Sequence, residues 1–228
     1  RLARDAEVRA TGVPAGLLDQ MTALHARPDH VLLLDCRSLT VEPIRLPRSL
    51  GVVVVHSGRP RALADSAYAR RRSEVEASAR GLGLESLRDA TEDDVRDDPR
   101  ARHVVTENAR VLAFADALRA GRTGELGPLM LESHASLRDD YAVSTVELDR
   151  VVALLMEHGA LGARLTGAGF GGCVVGLVQR NHCDDVLAKV ARALRDAGQA
   201  DPLAFAVHPS GAAGEVGEAP HTDRPPVG

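Results

Sequence analysis

Short apolar runs bounded by glycine and proline alternate with longer helical patterns along this chain. Such runs, rich in β-branched residues, predict strands at Val31–Asp35, Val41–Leu46 and Gly51–His56. Two later runs of the same kind predict strands at 173–178 and 203–207. The chain therefore combines strands with helices.

The helical patterns occupy both ends of the chain and most of its middle. The predicted helices cover residues 1–10, 16–24, 66–80, 102–119, 124–137, 145–158 and 183–197. This order of elements favours an α+β fold with helices on one face of an antiparallel sheet. The last twenty or so residues are rich in Gly, Pro and Ala, which is typical of disorder.

Composition narrows the class of protein. With 2% aromatic residues and no Trp, the core of this 228-residue chain must be built from Leu, Val and Ala. The net charge of −4 is mixed along the chain, so no basic face indicates nucleic acid. Three widely spaced cysteines form neither a metal pattern nor a disulfide framework, and no apolar run reaches the ~18 residues of a membrane span. We expect a cytoplasmic protein.

A glycine-rich loop stands out between an apolar run and a β-prone run. Gly167, Gly169, Gly171 and Gly172 fall within six positions. Glycine is concentrated where φ must be positive or where another group approaches the backbone closely. A tight structural turn and a ligand-binding loop with an anion-binding nest both fit this cluster.

Two acidic residues near the start of the chain are candidates for chemistry. Asp19 falls in the first turn of a predicted helix, just after Pro14 and Gly16. It could simply be a capping-region carboxylate, or it could accept a proton from a substrate hydroxyl. Glu7 lies twelve residues earlier and is either a solvated surface residue or a second carboxylate for Mg²⁺.

Other polar residues are less specific. Tyr68 could pack a helix against the sheet or contact a polar ligand. The stretch Ser133–Tyr141 contains Ser, His and Asp, but a hydrolase is disfavoured because triad residues meet in space and no G-x-S-x-G elbow is present. The remaining histidines have no metal-binding spacing.

Taken together, an ordered series of segments resembles the galactokinases, which are GHMP small-molecule kinases. The resemblance extends over nearly the whole chain up to about residue 208. The matching stretches are 16–20 (GLLDQ), 33–39 (LLDCRSL), 68–72 (YARRR), 102–108 (RHVVTEN), 133–141 (SHASLRDDY) and 166–173 (TGAGFGGC).

The resemblance implies transfer of the ATP γ-phosphate to the anomeric hydroxyl of galactose, giving galactose 1-phosphate. It also implies a role for each candidate residue. Asp19 would act as the base on the sugar hydroxyl, Glu7 would bind Mg²⁺, and Gly16 and Tyr68 would contact the sugar. The loop that includes Gly167 and Gly169 would line the active site beside the phosphates.

The same resemblance implies a division into domains. Residues 1–50 would be the end of the GHMP N-terminal α+β domain, residues 51–208 the ferredoxin-like C-terminal domain, and residues 209–228 a disordered tail.

Departures from the family pattern limit what this sequence can do. The family's Gly-Glu-His-x-Asp sugar motif and Gly-Leu-Ser-Ser-Ser phosphate loop do not occur in it. We therefore expect a chain that lacks an N-terminal segment and is inactive alone. Pro60 replaces a frequent arginine, and Glu-Val-Arg at Glu7 replaces Glu-Asn. These changes leave open another sugar, such as N-acetylgalactosamine or arabinose, or a catalytically inactive sensor of sugar and nucleotide.

Overall fold

The computed structural model describes residues 2–11, 16–60 and 65–214, which contain seven α-helices, four short 3₁₀ helices and six strands. The helices are α1 (Leu2–Thr11), α2 (Leu18–His25), α3 (Asp65–Gly81), α4 (Pro99–Arg119), α5 (Leu126–Asp139), α6 (Val146–Glu157) and α7 (Cys183–Asp196). The strands are β1 (His30–Leu34), β2 (Val41–Arg45), β3 (Leu50–His56), β4 (Gly162–Thr166), β5 (Cys173–Gln179) and β6 (Ala204–Val207).

The strands form two antiparallel sheets. β1 pairs with β2, and the other four strands lie in the order β4-β5-β3-β6. Within this second sheet, β3 is central and pairs with β5 and β6, so that Val53 faces both Gly176 and Ala206. Helices separate β3 from β4 and β5 from β6, whereas β4 and β5 are joined directly by the glycine loop. This is the βαββαβ arrangement of a ferredoxin-like domain.

Both faces of the four-stranded sheet are covered by helices, so the prediction of helices on one face was wrong. Val53 and Val55 belong to the core that α6 and α7 complete. Leu50 belongs to a second core with residues of α4 and α5, and Val52 packs against it. The continuous valine run of β3 is the physical reason, because a strand buried on both faces needs apolar residues at every position.

Strand β4 was missed by the sequence patterns, which assigned Gly162–Thr166 to the glycine loop. The strand begins at Gly162, where a side chain would not fit, because a Cβ there would lie 2.5 Å from the Cα of Gly127. A Cβ on Gly127 would in turn lie 1.8 Å from the Leu161 carbonyl oxygen. The two glycines let α5 approach the start of β4 at backbone distance, and a glycine in this place hides the strand's periodicity.

The small sheet is tied to the rest of the molecule by two crossed ion pairs. The guanidinium of Arg37 donates to both carboxylate oxygens of Asp89 at 2.9 and 2.7 Å. That of Arg88 donates to both oxygens of Asp35 at 2.6 Å. The hydrogen bonds from Arg88 and from the backbone of residues 37 and 38 lower the pKa of Asp35 far below its ordinary value. Residues 35–38 belong to one of the stretches that resemble the family, and their ion pairs connect the β1–β2 hairpin to the segment before α4.

The sheets divide between Arg45 and Leu50, close to the predicted domain boundary at residue 50. Ile44 nevertheless shares a core with Leu50, and the boundary itself stays a prediction. Residues 209–214 of the predicted disordered tail are among the described residues, and the backbone N–H of Ala213 donates to the Ala23 carbonyl at 2.7 Å. The disorder of the tail stays a prediction. The rest of the predicted tail, from residue 215, lies outside the described residues.

Candidate active site

Helices α1 and α2 carry the two candidate carboxylates. Glu7 lies on α1, and Asp19 lies in the first turn of α2. Both residues are exposed. The side-chain amide of Gln20, the residue after Asp19, donates to the carboxylate of Glu7. The structure therefore brings the candidate Mg²⁺ ligand to the neighbour of the candidate base.

Two further features beside Asp19 suit a polar ligand. The side-chain oxygen of Gln20 is buried and accepts no hydrogen bond from any described residue. A buried acceptor of this kind is costly unless a donor such as a hydroxyl reaches it. Gly16 lies open, since a Cβ built there would meet only the Leu18 nitrogen at 4.0 Å. Residues 12–15, which include the predicted turn at Pro14, are outside the described residues.

Glu7 would be the carboxylate for a divalent cation here. Among the described residues, no group of three or more His, Cys, Asp or Glu side chains could hold a metal ion. Mg²⁺ is usually held by one or two carboxylates together with substrate phosphates and water. The residues present thus fit a cation that arrives with a nucleotide, and they do not fit a cage built only from protein.

The glycine loop between β4 and β5 has an unusual backbone. Its positive φ angles are 80° at Gly167, 79° at Gly169, 59° at Phe170, 129° at Gly171 and 84° at Gly172. Such angles strain residues that carry a Cβ, so the glycines are required by conformation.

Two backbone segments press against this loop. A Cβ on Gly169 would lie 2.3 Å from the Val143 carbonyl oxygen, and one on Gly171 would lie 2.8 Å from that of Arg59. The Phe170 N–H donates to Val143 at 2.7 Å, and the Gly172 N–H donates to Arg59 at 3.0 Å. The first half of the loop contains Gly167 and Gly169, and its run of glycines at positive φ is the kind of backbone that can form an anion-binding nest.

Tyr68 lies on α3 and is half-buried. Burial raises the pKa of Tyr141, and the proximity of Tyr68 adds to that shift. The ring of His103 stacks on Tyr141 with 4.5 Å between the ring centroids, and the guanidinium of Arg71 lies 5.9 Å from its centroid. Because Tyr141 is two residues from Val143, one short segment borders both Tyr68 and the glycine loop.

The Ser133–Tyr141 stretch has a structural role that the sequence patterns did not reveal. His134 is 4% exposed and its Nδ1 accepts the Leu165 N–H at 3.3 Å, so its proton lies on Nε2. That Nε2 faces the Asp149 carboxylate at 3.2 Å. Burial lowers the pKa of His134, which favours this neutral form. Through the Leu165 N–H the histidine holds β4, and with it the start of the glycine loop, to α5, while its Nε2 lies beside Asp149 of α6 without a hydrogen bond.

No Ser-His pair in this stretch is arranged for hydrolysis. The hydroxyl of Ser133 donates to Glu107, while Nδ1 of His134 accepts from Leu165 and its Nε2 faces Asp149. The sequence offered no signal for these partners, because each lies more than ten residues away along the chain.

Comparison with known proteins now places this fold. Residues 114–200 match the family model described as "GHMP kinases C terminal". The galactokinase of Roseiflexus sp. (strain RS-1) is 46% identical over 211 residues, which is 86% of this chain and 54% of that protein. The chain is a galactokinase homologue. The expected family and the GHMP kinase fold are thus confirmed.

Solved structures agree with this assignment. Lactococcus lactis galactokinase, solved in complex with galactose, superposes with a TM-score of 0.82 and 32% identity, and the match covers 92% of this chain and 58% of that one. The mevalonate kinase of L. major, solved with R-mevalonate, has a TM-score of 0.53 and 25% identity over 80% of this chain and 50% of its own. This galactokinase homologue spans little more than half the length of these galactokinases.

In the described part of the homologue, no helix is both long and apolar enough to cross a membrane.

Proposed function

We propose that this galactokinase homologue supplies the base, the metal carboxylate and part of the sugar site of an ATP-dependent galactose 1-kinase. The observation that carries the proposal is the Gln20–Glu7 contact. It sets the two candidate carboxylate helices side by side in a chain that is 46% identical to a galactokinase. An exposed carboxylate at a helix start next to a second carboxylate suits phosphoryl transfer, in which positioning and charge stabilisation dominate.

Asp19 would hold the anomeric hydroxyl and accept its proton as the γ-phosphate is transferred. Its place in the first turn of α2 orients the carboxylate beside the helix N-terminus. The buried side-chain oxygen of Gln20 would take a second hydroxyl of the sugar. Gly16 leaves its backbone open to the ring, and Tyr68 would close the sugar site from α3.

Glu7 would hold Mg²⁺ together with the phosphate oxygens of ATP. The bound cation supplies neutralisation of the charge that develops on the transferred phosphoryl group. The N–H groups at Gly167 and Gly169 would line the same region from the side of the sheet. The carboxamide of Gln20 keeps the Glu7 carboxylate oriented through its hydrogen bond.

We expect the 228-residue polypeptide alone to show no turnover, because the sugar motif and phosphate loop of the family are not part of its sequence. A coupled assay with galactose and ATP on this polypeptide tests that expectation. Turnover by the isolated chain would contradict it.

A chimera tests the activity itself. The matching part of lactococcal galactokinase is replaced by this chain, and thermal melting first establishes that the hybrid is folded. We expect ATP-dependent formation of galactose 1-phosphate, identified by ³¹P NMR. Asp19→Asn should lower kcat by about 10²–10⁴-fold, as removal of a general base does. The matched control is Asp184→Asn, at the exposed start of α7, which should leave kcat unchanged.

Other outcomes would change the proposal. Undiminished activity of the folded Asp19→Asn chimera would rule out its role as the base. Faster turnover of N-acetylgalactosamine or arabinose would assign another sugar. Binding of sugar and ATP without product would indicate a sensor.

The cytoplasmic location inferred from cysteine usage stays a prediction.

A further inference from the structure

A cavity lies between the four-stranded sheet and the α4–α5 pair. Its volume is about 320 Å³, within the ~300–1,000 Å³ range of small-molecule sites. Its wall is mainly apolar and includes Val52, Phe114, Met130, Val175 and Leu177. None of the candidate active-site residues lines it. This cavity therefore needs an explanation of its own.

One end of the cavity carries charge. The residues that line this end are Glu107, Arg110, Ser133 and Arg164. The side chains of Glu107 and Arg110 are only 17% and 16% exposed. Arg164 donates to Glu107 at 2.6 Å, and Arg110 does so at 2.5 Å. Burial by itself would raise the pKa of Glu107, but Arg164, Ser133 and Arg110 outweigh burial and lower it. The carboxylate is thus charged, and two cations share one anion.

Some arginine N–H donors in this cluster are not used by Glu107. Glu107 accepts from Ser133, Arg164 and Arg110, which occupies both of its oxygens. Arg164 uses Nη1 for Glu107 and Nε for the Leu165 carbonyl, which leaves Nη2. An arginine has five N–H donors and no acceptor. A group that enters this end of the cavity therefore meets spare donors and one net positive charge.

We propose that this cavity binds a small molecule with an apolar body and a single carboxylate or similar anionic head. The apolar body lies between Phe114, Met130 and the sheet, and the head accepts hydrogen bonds from Arg164. Such charge-assisted bonds discriminate strongly against a head that cannot accept them. The proposal is independent of the kinase proposal, since it needs neither ATP nor sugar.

The mouth of the cavity offers a matched pair of residues for testing. Val111 lines the cavity and is 43% exposed, whereas its neighbour Leu112 is 56% exposed and does not line it. A bulky residue at position 111 can block entry without disturbing the core, because that side chain is already half in solvent. The chain has no Trp, so Val111→Trp also places a single fluorophore at the mouth.

Octanoate, octanol and octylamine are suitable probes, because they share an apolar chain and differ only in the head. Calorimetry on the 228-residue chain should detect octanoate binding, with octanol about tenfold weaker and octylamine weaker still. Val111→Trp should weaken octanoate about tenfold or more, and Leu112→Trp should leave it unchanged. Equal affinity for the three heads, or no effect of Val111→Trp, would overturn the proposal.

Arg164→Gln tests the head directly. It should lower octanoate affinity to that of octanol while octanol binding stays the same, and the retained octanol binding shows that the cavity is intact. Loss of both ligands in a variant that still melts cooperatively would overturn the assignment of Arg164. The same titration is repeated on the folded lactococcal chimera. If octanoate binds the isolated chain but not the chimera, the added part of the polypeptide fills the cavity, and the proposal is overturned.

Discussion

The glycine loop and the two carboxylate helices are held in opposite ways. The loop is pressed against the backbones at Val143 and Arg59 and hydrogen-bonded to both. Helix α2, in contrast, contributes no buried residue, and Glu7 and Asp19 are exposed. The wall of the candidate site is thus closely packed within this chain, whereas the helix that carries Asp19 buries no residue. The close contacts thus stabilise the loop that forms the wall, and the carboxylates remain accessible to a ligand.

The largest expected effect that tests this comparison is on stability in the glycine loop. Gly169→Ala would introduce a Cβ at a positive φ and within 2.3 Å of the Val143 carbonyl oxygen. We expect the free energy of unfolding in urea to fall by about 2–4 kcal/mol.

Gly121→Ala is the matched control for that variant. Gly121 has a φ of 70°, but a Cβ there would meet nothing within 4 Å. Only the conformational cost of about 1–2 kcal/mol should remain. Equal losses in the two variants would show that close packing against Val143 is unimportant.

A smaller effect should follow from pH, because the wall is supported by a neutral histidine. Burial lowers the pKa of His103, which stacks on Tyr141, to about 4 from 6.5. The unfolded chain therefore binds a proton more readily, so stability is lost as pH falls from 6.5 toward 4. Between pH 7 and 5 this group should remove about 2 kcal/mol of unfolding free energy.

His103→Gln is the variant that isolates this contribution. Urea unfolding of the variant should depend less on pH between 7 and 5, while the part due to His134, whose pKa is also lowered, persists. An unchanged pH dependence would show that His103 is protonated equally well in the folded state.

The smallest expected effect lies in the carboxylate helices. Asp19→Asn should change the unfolding free energy by less than about 0.5 kcal/mol, as surface substitutions usually do. The same urea titration checks it. A loss comparable to that of Gly169→Ala would mean that Asp19 has a structural role, and the contrast between the two regions would disappear.

Much of the fold could be predicted from local patterns. The three strands at the start, α3 to α7, β5 and β6 were expected within a few residues of their observed bounds. The helix start at Asp19 and the turn-forming nature of the glycine loop were also readable, since each depends on neighbouring residues. The family resemblance added roles for Glu7 and Tyr68 that spacing alone could not supply.

Other features were beyond these patterns. Strand β4 was hidden because Gly162 serves a contact with Gly127 in α5 and not the strand itself. His134 accepts a hydrogen bond from Leu165 and lies beside Asp149, so it brings together residues of three elements, and no periodicity along the chain predicts such contacts. The cavity at Glu107 likewise depends on how α4 lies across the sheet.

The sequence by itself determined where the chain bends and which segments bury apolar surface, because glycine φ angles and hydrophobic periodicity act over a few residues. Only the tertiary structure decided that Gln20 reaches Glu7, that Val143 and Arg59 press on the glycine loop, and that two arginines share Glu107. Those contacts join residues far apart in the chain, and packing in three dimensions selects them.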